Sequence, residues 1–206
     1  MTAEVLAAKI ILFIFSVIIH EVMHGLVALK FGDRTALNAG RLTLNPLPHI
    51  DPIGTILMPI LLVLAHGPII GAAKPVPVNP LNFSNIRQGE LMVSAAGILA
   101  NFTLAILGAI LFHLFGSLDF LAEVLAFLVT INLALGIFNL IPIPPLDGSK
   151  IVMSQLSYQA AQQYSRLEPF GIFILLALIY FGILGLITSP LLTISSSILG
   201  VPLTFF

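Results

Sequence analysis

The sequence predicts an all-α membrane protein, a polytopic helical bundle with a membrane-associated β-hairpin and a re-entrant segment. Of its 206 residues, 58% are hydrophobic and only 8% are charged, whereas soluble domains carry roughly 25% charged residues. Several apolar runs also reach or approach the roughly 18–20 residues that a spanning helix requires. Because no internal repeat, low-complexity segment or long polar linker divides the chain, residues 1–206 are expected to form a single transmembrane domain.

Four apolar runs are predicted to span the membrane: 5–29, 91–115, 120–141 and 169–188. The bundle could contain as many as six hydrophobic helices in total. The first is not expected to be a cleaved signal peptide, because it is long and lacks a small-residue cleavage site. The net charge is -1 and no basic cluster occurs, so nucleic acid is not an expected partner. The chain has no Cys, so any metal must be held by His, Asp or Glu.

The region between the first two spans is irregular. "DRTALNAGRLTL" at 33–44 predicts two short strands around the turn "NAG". Residues 53–72 are apolar but are interrupted by Pro59 and by Gly67-Pro68, so we expect them to enter the bilayer and return on the same side. "AKPVPVNP" then predicts an extended linker.

The C-terminal third alternates apolar and more polar stretches. The span at 120–141 must end before Pro142, since a proline cannot continue a helix. Residues 149–167 are more polar and predict a helix at the interface or against the bundle. The tail from Pro190 is apolar but too short and too rich in Ser to predict a complete span.

The first span contains the pattern H-E-x-x-H, as His20-Glu21-Val22-Met23-His24. On a helix this spacing places both imidazoles on one face, where they can bind one Zn²⁺, with Glu21 beside them as a candidate general base. Ionisable residues inside an apolar helix are costly and therefore indicate function. The alternative is a hydrogen-bonded polar patch that joins neighbouring helices.

A catalytic zinc site needs a third protein ligand and one open position. Asp147 is the strongest candidate, because it closely follows a predicted span in "NLIPIPPLDG", where prolines let the chain bend back toward the bundle. The alternative for an Asp-Gly pair is a plain turn or helix cap. For His49 we expect a position at the membrane interface with a backbone partner, and the alternative is a position near the site. We expect His66 and His113 to be packed or solvated residues.

Three segments resemble the signatures of a known family. "HEVMH" in the first span, "AGILAN" at 96–101 and "NLIPIPPLDG" at 139–148 resemble those of the site-2 protease family of intramembrane zinc metalloproteases. "GRLTLNPLPHIDPIGT" and "AKPVPVNP" resemble a subgroup of small prokaryotic members. We therefore expect a small member without a PDZ-like insert or C-terminal regulatory domains.

The resemblance implies that His20, His24 and Asp147 hold one Zn²⁺ per chain. It also implies Glu21 as the catalytic acid and base, with Asn139 and Asn101 as further residues of the active site. The alternatives are a helix-end cap for Asn139 and an interhelical hydrogen bond for Asn101. The protease core would then comprise residues 5–150, followed by C-terminal helices at 150–206. The expected activity is endopeptidase cleavage of membrane-anchored proteins in or near an unwindable transmembrane segment. The predicted strand "RLTL" could receive the unwound substrate by edge pairing.

A non-catalytic metal-binding membrane protein, such as a transporter or scaffold, is the rival hypothesis. A transporter has no need for a base at Glu21, and transporters often consist of two related halves, which this sequence does not show.

The proposed ligands also constrain topology. If the histidines and Asp147 meet at one depth, the first and third spans run in the same direction, and residues 30–90 begin and end on one side. That side then carries seven basic residues, namely Lys30, Arg34, Arg41, Lys74, Arg87, Lys150 and Arg166. Only Lys9 lies near the other side. By the positive-inside rule the active site would open toward the cytosol of a prokaryotic cell membrane.

Overall fold

The computed structural model describes residues 2–52 and 73–205, and every regular element within these two ranges is helical. The α-helices in these ranges are α1 (Ala3–Lys30), α2 (Thr35–Asn38), α3 (Ile86–Phe115), α4 (Asp119–Leu140), α5 (Asp147–Gln155), α6 (Tyr158–Ser165), α7 (Gly171–Tyr180) and α8 (Ile183–Leu199). Short 3₁₀ turns lie at Leu47–His49, Pro80–Asn82 and Glu168–Phe170.

Three long helices, α1, α3 and α4, form the body of the molecule. Each is long and apolar enough to cross a membrane, with a mean hydropathy of 2.1 to 2.2 over its most apolar 18 residues. Thr2 caps the start of α1 and Asn85 caps the start of α3, each by accepting a hydrogen bond from a backbone N–H of the first turn. Small buried residues on α3, including Ala100, Ala105 and Gly108, allow close approach of its neighbours.

Polar contacts between these helices define their directions. On α1 and α4, Lys9 pairs with Glu123 and Ser16 contacts Asn132, so the two helices are parallel. On α1 and α3, His20 contacts Asn101 whereas His24 contacts Val93, so these helices are antiparallel. The predicted common direction of the first and third spans is therefore confirmed, and their C-terminal ends lie at the same end of the bundle.

The connection from α1 to α3 returns to the place where it began. The backbone N–H of Ser84 donates to the Phe31 carbonyl at 2.8 Å, and the rings of Phe31 and Phe83 lie 6.2 Å apart. The connection thus begins and ends at one end of the bundle, as expected. The re-entrant segment predicted at 53–72 lies outside the described residues.

The predicted β-hairpin at 33–44 is wrong. This segment instead contains the helical turn α2, and Gly40 adopts a φ of 64° at the end of that turn. The Asp33 carboxylate accepts hydrogen bonds from the N–H groups of Thr35 and Asn79 and from the Asn82 amide, at 2.7 to 3.0 Å. Such side-chain bonds offer the backbone an alternative to strand pairing. The "NAG" sequence therefore ends a helix, where a left-handed glycine is common.

The span predicted at 169–188 is interrupted. Helix α7 ends at Tyr180, Gly182 adopts a φ of 71°, and the chain changes direction by 75° between Tyr158–Tyr180 and Ile183–Leu199. Within the described ranges the structure has three candidate spans, or four if this bent pair is counted as one. The expectation of four continuous spans is therefore not supported. Residues 190–199 of the tail belong to α8.

Large apolar side chains cover the outer surface. Ile11 on α1, Leu114 on α3 and Leu186 on α8 are 53%, 66% and 76% exposed. Soluble monomers rarely expose contiguous apolar patches beyond a few hundred Å². Together with the hydropathy of the long helices, this surface indicates a membrane protein.

Candidate metal centre

Helix α1 carries the two histidines on its buried face. The i, i+4 spacing stacks His20 and His24 one turn apart, and their Nε2 atoms lie 3.0 Å from each other. Both residues are buried. Their ring planes are nearly perpendicular, at 88°. Two imidazole nitrogens therefore converge inside the bundle.

Asp147 completes the cluster as the first residue of α5. Its Oδ2 atom lies 3.2 Å from His20 Nε2 and 3.1 Å from His24 Nε2. Within the described residues this oxygen is buried and has no hydrogen-bond donor. Among the described residues, His20, His24 and Asp147 form a group whose side chains could together hold a metal ion.

The opposite ring nitrogens determine which form of each imidazole is present. His24 Nδ1 lies 2.7 Å from the Val93 carbonyl oxygen, and His20 Nδ1 lies 2.6 Å from Asn101 Oδ1. Both oxygens only accept hydrogen bonds, so both Nδ1 atoms donate, and in the neutral imidazole that binds a metal each Nε2 atom carries the lone pair. Two nitrogen lone pairs and a carboxylate oxygen thus face one another.

This donor set fits one Zn²⁺. Three buried acceptors without a donor repel one another and lose hydration, so the arrangement needs a cation. Tetrahedral zinc with ligands at about 2.0–2.1 Å would separate these atoms by about 3.3 Å, close to the 3.0 to 3.2 Å between them. His20, His24 and Asp147 would hold the ion and leave one position open.

Gly97 on α3 provides the space for the two rings. A methyl group at this position would lie 2.6 Å from His24 Nε2 and 2.7 Å from His20 Cε1. Real Cβ atoms essentially never come so close to another heavy atom. The glycine of "AGILAN" therefore allows α3 to pass directly behind the candidate ligands.

Helix α5, which carries Asp147, is fixed at both ends. At its start, Gly148 packs against the backbone carbonyls of Leu140 and Ile141. At its end, the Arg87 guanidinium donates to the carbonyl oxygens of Ser154 and Leu156. These contacts attach α5 to α3 and α4 and so hold Asp147 at the histidines.

Glu21 lies beside the cluster and is oriented by a backbone group. Its Oε2 atom accepts a hydrogen bond from the N–H of Val76 at 2.7 Å. Val76 belongs to the stretch 73–79, which contains no helix or strand and which Arg41 anchors by donating to the Lys74 carbonyl at 2.6 Å. The segment "AKPVPVNP", predicted to be an extended linker, forms a wall of the site.

A cavity of about 480 Å³ gives access to the cluster. Its lining includes Glu21, Asn139, Pro75 and Val76 in addition to the three candidate ligands. The cavity thus brings together a candidate base, an amide and a candidate metal centre, which are the groups that hydrolysis of a peptide chain requires.

Known proteins share this sequence organisation. The profile of peptidase family M50 matches residues 113–182, a range that contains Asp147. The chain is 38% identical to the Bacillus subtilis protein named "Putative zinc metalloprotease YwhC" over 179 residues, which cover 82% of this chain and 78% of that protein. The chain belongs to peptidase family M50.

Two mycobacterial relatives have the same description with the name Rip2. The chain is 29% identical to the Mycolicibacterium smegmatis protein and 31% identical to that of Mycobacterium tuberculosis strain H37Rv. It spans 64% and 62% of their lengths, respectively. No solved structure matches the chain. Family membership and the donor set together make this M50 member a zinc metalloprotease.

The two asparagines expected at the active site of this M50 protein occupy different positions. Asn139 lines the cavity and donates to the Leu135 carbonyl of its own helix at 3.0 Å. Asn101 is completely buried behind His20 and contacts the ring nitrogen that faces away from the cluster. The structure therefore brings Asn139, but not Asn101, to the cavity.

Other histidines of the M50 chain have backbone partners. His49 Nε2 donates to the Thr43 carbonyl at 2.9 Å, as expected, and His113 Nε2 donates to the Leu199 carbonyl at 2.8 Å. His66 lies outside the described residues. Sequence reasoning did not identify Asn132, Ser16 or Arg87, because single polar residues in apolar helices or at their ends carry no distinctive spacing.

Proposed function

We propose that the protein is an intramembrane endopeptidase that hydrolyses membrane-anchored proteins in or near their transmembrane segments. One observation carries the proposal: the three candidate ligands lie buried among α1, α3 and α4, the helices that are apolar enough to cross a membrane. A peptide bond that reaches this cluster must itself come from a segment that can enter the bilayer.

Each cavity residue has a chemical role in this proposal. His20, His24 and Asp147 hold Zn²⁺, which supplies a Lewis acid that polarises water and peptide carbonyl oxygens. Glu21 removes the proton from the attacking water and delivers it to the leaving amine. The Val76 N–H holds the Glu21 carboxylate in a fixed orientation for both transfers.

Asn139 is the proposed donor to the oxyanion that develops on the scissile carbonyl. A carboxamide has two N–H groups, and the Leu135 carbonyl accepts one of them. The second can serve the oxyanion, and such donors typically contribute about 10²- to 10³-fold in rate. Asn101 contacts His20 rather than the cavity, so its proposed role is to position that imidazole.

The substrate must be unwound before its carbonyl can be attacked, because helical carbonyls are already hydrogen-bonded. The expectation that "RLTL" receives this peptide by edge pairing is not supported, because it depended on the predicted hairpin. The irregular stretch 73–79 lies at the cavity instead, and Pro75 and Val76 line the cavity. We propose that it forms the wall along which the unwound peptide lies.

The proposed orientation places the metal centre toward the cytosol in a multi-pass chain. The C-terminal end of α1 and the N-terminal end of α3 meet at the end of the bundle that carries the site. The seven basic residues named above belong to elements at or beyond this end, whereas Lys9 lies near the start of α1. The positive-inside rule favours this end as cytoplasmic.

The decisive test compares wild type with Glu21→Gln. Each variant is reconstituted in lipid vesicles with a tagged single-span protein, and the cleavage products are separated by electrophoresis. Removal of the base is expected to lower the cleavage rate by about 10²- to 10⁴-fold, while zinc content stays at one per chain. Glu4→Gln, at the far end of the same helix, is the matched control and is expected to cleave normally.

Equal cleavage by wild type and Glu21→Gln would refute this function. If no variant cleaved while zinc remained bound, the chain would be a metal-binding membrane protein.

A further inference from the structure

A chain of buried polar side chains leads away from His20 across the bundle. It runs through Asn101 on α3 to Asn132 on α4 and then to Ser16 on α1. Asn101 and Asn132 are completely buried and Ser16 is 1% exposed. Because burying unpaired amides is costly, each group must be oriented so that every donor meets an acceptor.

The orientation of the chain is set at its distant end. Asn132 Nδ2 donates to Ser16 Oγ at 2.8 Å and to the Leu128 carbonyl at 2.9 Å. A backbone carbonyl can only accept, so the nitrogen of this amide must point toward Leu128. Its oxygen therefore faces Asn101, whose Nδ2 donates to it at 2.9 Å.

The orientation of Asn132 also determines that of Asn101, which contacts His20. With its nitrogen directed at Asn132, Asn101 must turn its oxygen toward His20 Nδ1, at 2.6 Å. An amide oxygen cannot donate, so in the neutral imidazole the proton resides on Nδ1 and the lone pair on Nε2, which faces Asp147. Reversal of either amide would place a donor against His20 Nδ1 and favour the tautomer that cannot bind zinc through Nε2.

We propose that Asn132 and Ser16 are positioning residues that hold His20 in its metal-binding tautomer through Asn101. His24 needs no such chain, because the Val93 carbonyl accepts directly from its Nδ1. The two histidines therefore differ in how their tautomers are maintained. The inference rests on the zinc ligands proposed above and extends the metal centre to groups that contact neither the ion nor a substrate.

The test measures zinc affinity of the purified full-length chain in detergent, by competition with a fluorescent zinc chelator. Asn132→Leu removes the orienting amide, and loss of such outer partners typically lowers metal affinity about 10- to 100-fold. Ser16→Ala is expected to cause a smaller loss, because the Leu128 carbonyl still orients Asn132. Thr130→Val is the matched control, since Thr130 is equally buried on α4 and its hydroxyl accepts from the Thr204 N–H.

A second background separates orientation from simple packing. In Asn101→Asp either oxygen of the carboxylate can accept from His20 Nδ1. Asn132 is then no longer needed to determine which atom of residue 101 faces the imidazole. Asn132→Leu is therefore expected to cost less than about threefold in zinc affinity in this background. If Asn132→Leu lowered the affinity equally in both backgrounds, the orienting role would be overturned.

The controls distinguish failure of this inference from failure of the ligand set. If His20→Ala retained wild-type zinc affinity, the proposed ligands would be wrong and this inference would fall with them. If His20→Ala lost zinc but Asn132→Leu bound it as tightly as Thr130→Val, only the positioning role would be refuted. If Asn132→Leu did not fold, the zinc affinity of Ser16→Ala, compared with that of Thr130→Val, would still decide the outcome.

Discussion

Two buried polar clusters lie at opposite ends of the α1, α3 and α4 bundle, and they are satisfied in different ways. In the lysine cluster, Lys9 Nζ lies 2.9 Å from Glu123 Oε1 and donates to the Phe205 carbonyl at 2.9 Å. The ammonium also lies 5.5 Å from the centre of the Phe127 ring. The chain itself supplies both the cation and its acceptors here.

In the histidine cluster, His20 Nε2, His24 Nε2 and Asp147 Oδ2 face one another as acceptors. The Lys150 Nζ atom lies 3.9 Å from the other carboxylate oxygen, Oδ1, and the lysine side chain is half exposed. Asp33 provides a useful third case, since it is a completely buried carboxylate near neither cluster. Thr35, Asn79 and Asn82 all donate to it. Burial by itself would raise the pKa of Asp33, but these hydrogen bonds outweigh burial and lower the pKa. A buried charge therefore indicates a metal centre only where the chain places no donor or cation against the converging atoms.

The largest expected effect comes from Asp147→Asn, which preserves shape but removes the anionic ligand. Zinc content is expected to fall from about one per chain to below about 0.1, with loss of proteolysis, because a neutral amide is a poor zinc ligand. Metal analysis of the purified protein measures this. Asp33→Asn, an equally buried substitution, should retain zinc, and loss of zinc in both variants would remove the distinction between the two carboxylates.

The second largest effect is expected from Gly97→Ala, which should disturb the histidine cluster more than the rest of the bundle. Overpacking costs about 1–3 kcal/mol, which corresponds to a decrease of about 5- to 150-fold in zinc affinity if the rings are displaced. Gly108→Ala provides the comparison, because its methyl would contact Val129 and Leu128 at 3.1 and 3.2 Å, away from the histidines. Chelator competition should show normal zinc affinity for Gly108→Ala and weak binding for Gly97→Ala.

Lys9→Met tests the lysine cluster alone. The substitution leaves the Phe205 carbonyl without this donor and Glu123 without this cation, although Glu123 is partly exposed and can be hydrated. We expect a loss of about 1–3 kcal/mol in the free energy of unfolding, seen as a lower thermal midpoint in detergent. Zinc content should stay at one per chain. A stable variant that had lost zinc would show that the two clusters are coupled.

The smallest effect concerns the pH dependence of stability through Asp33. Its pKa is lower in the folded chain than the value of about 3.9 expected for an unfolded one. Asp33 therefore stabilises the fold above about pH 4, and this contribution is lost as the pH falls through the folded pKa. Between pH 5 and 3 the thermal midpoint of wild type should decrease more than that of Asp33→Asn. Identical decreases would contradict the assignment of Asp33 as a fully hydrogen-bonded carboxylate.

Local periodicity made part of the site predictable. The spacing of His20 and His24 determines their common face as soon as the segment is helical, and the apolar surroundings favour a helix. The position of Asp147 depends on the bend after α4, for which the prolines were a useful indication. Asn132 and Gly97 could not be assigned their contacts, because those contacts depend on how α3 and α4 pack against α1.

The two fold errors have local causes. The "NAG" turn suits a hairpin and a helix terminus equally, since both accept a glycine with positive φ. The side-chain bonds of Asp33 to distant residues decide between them. Similarly, the apolar run around Gly182 has no polar break, and an isolated glycine is tolerated in helices. The sharp change of direction there could not be read from composition.

The arrangement of the ligands along the chain also affects biosynthesis. The imidazoles belong to α1, which is translated before α3 and α4, whereas the carboxylate follows only after those two helices. A nascent chain interrupted before α5 therefore contains the H-E-x-x-H motif without its acidic partner. Incomplete translation products therefore cannot assemble the proposed metal centre. Only chains that have been translated through α5 carry all three proposed ligands.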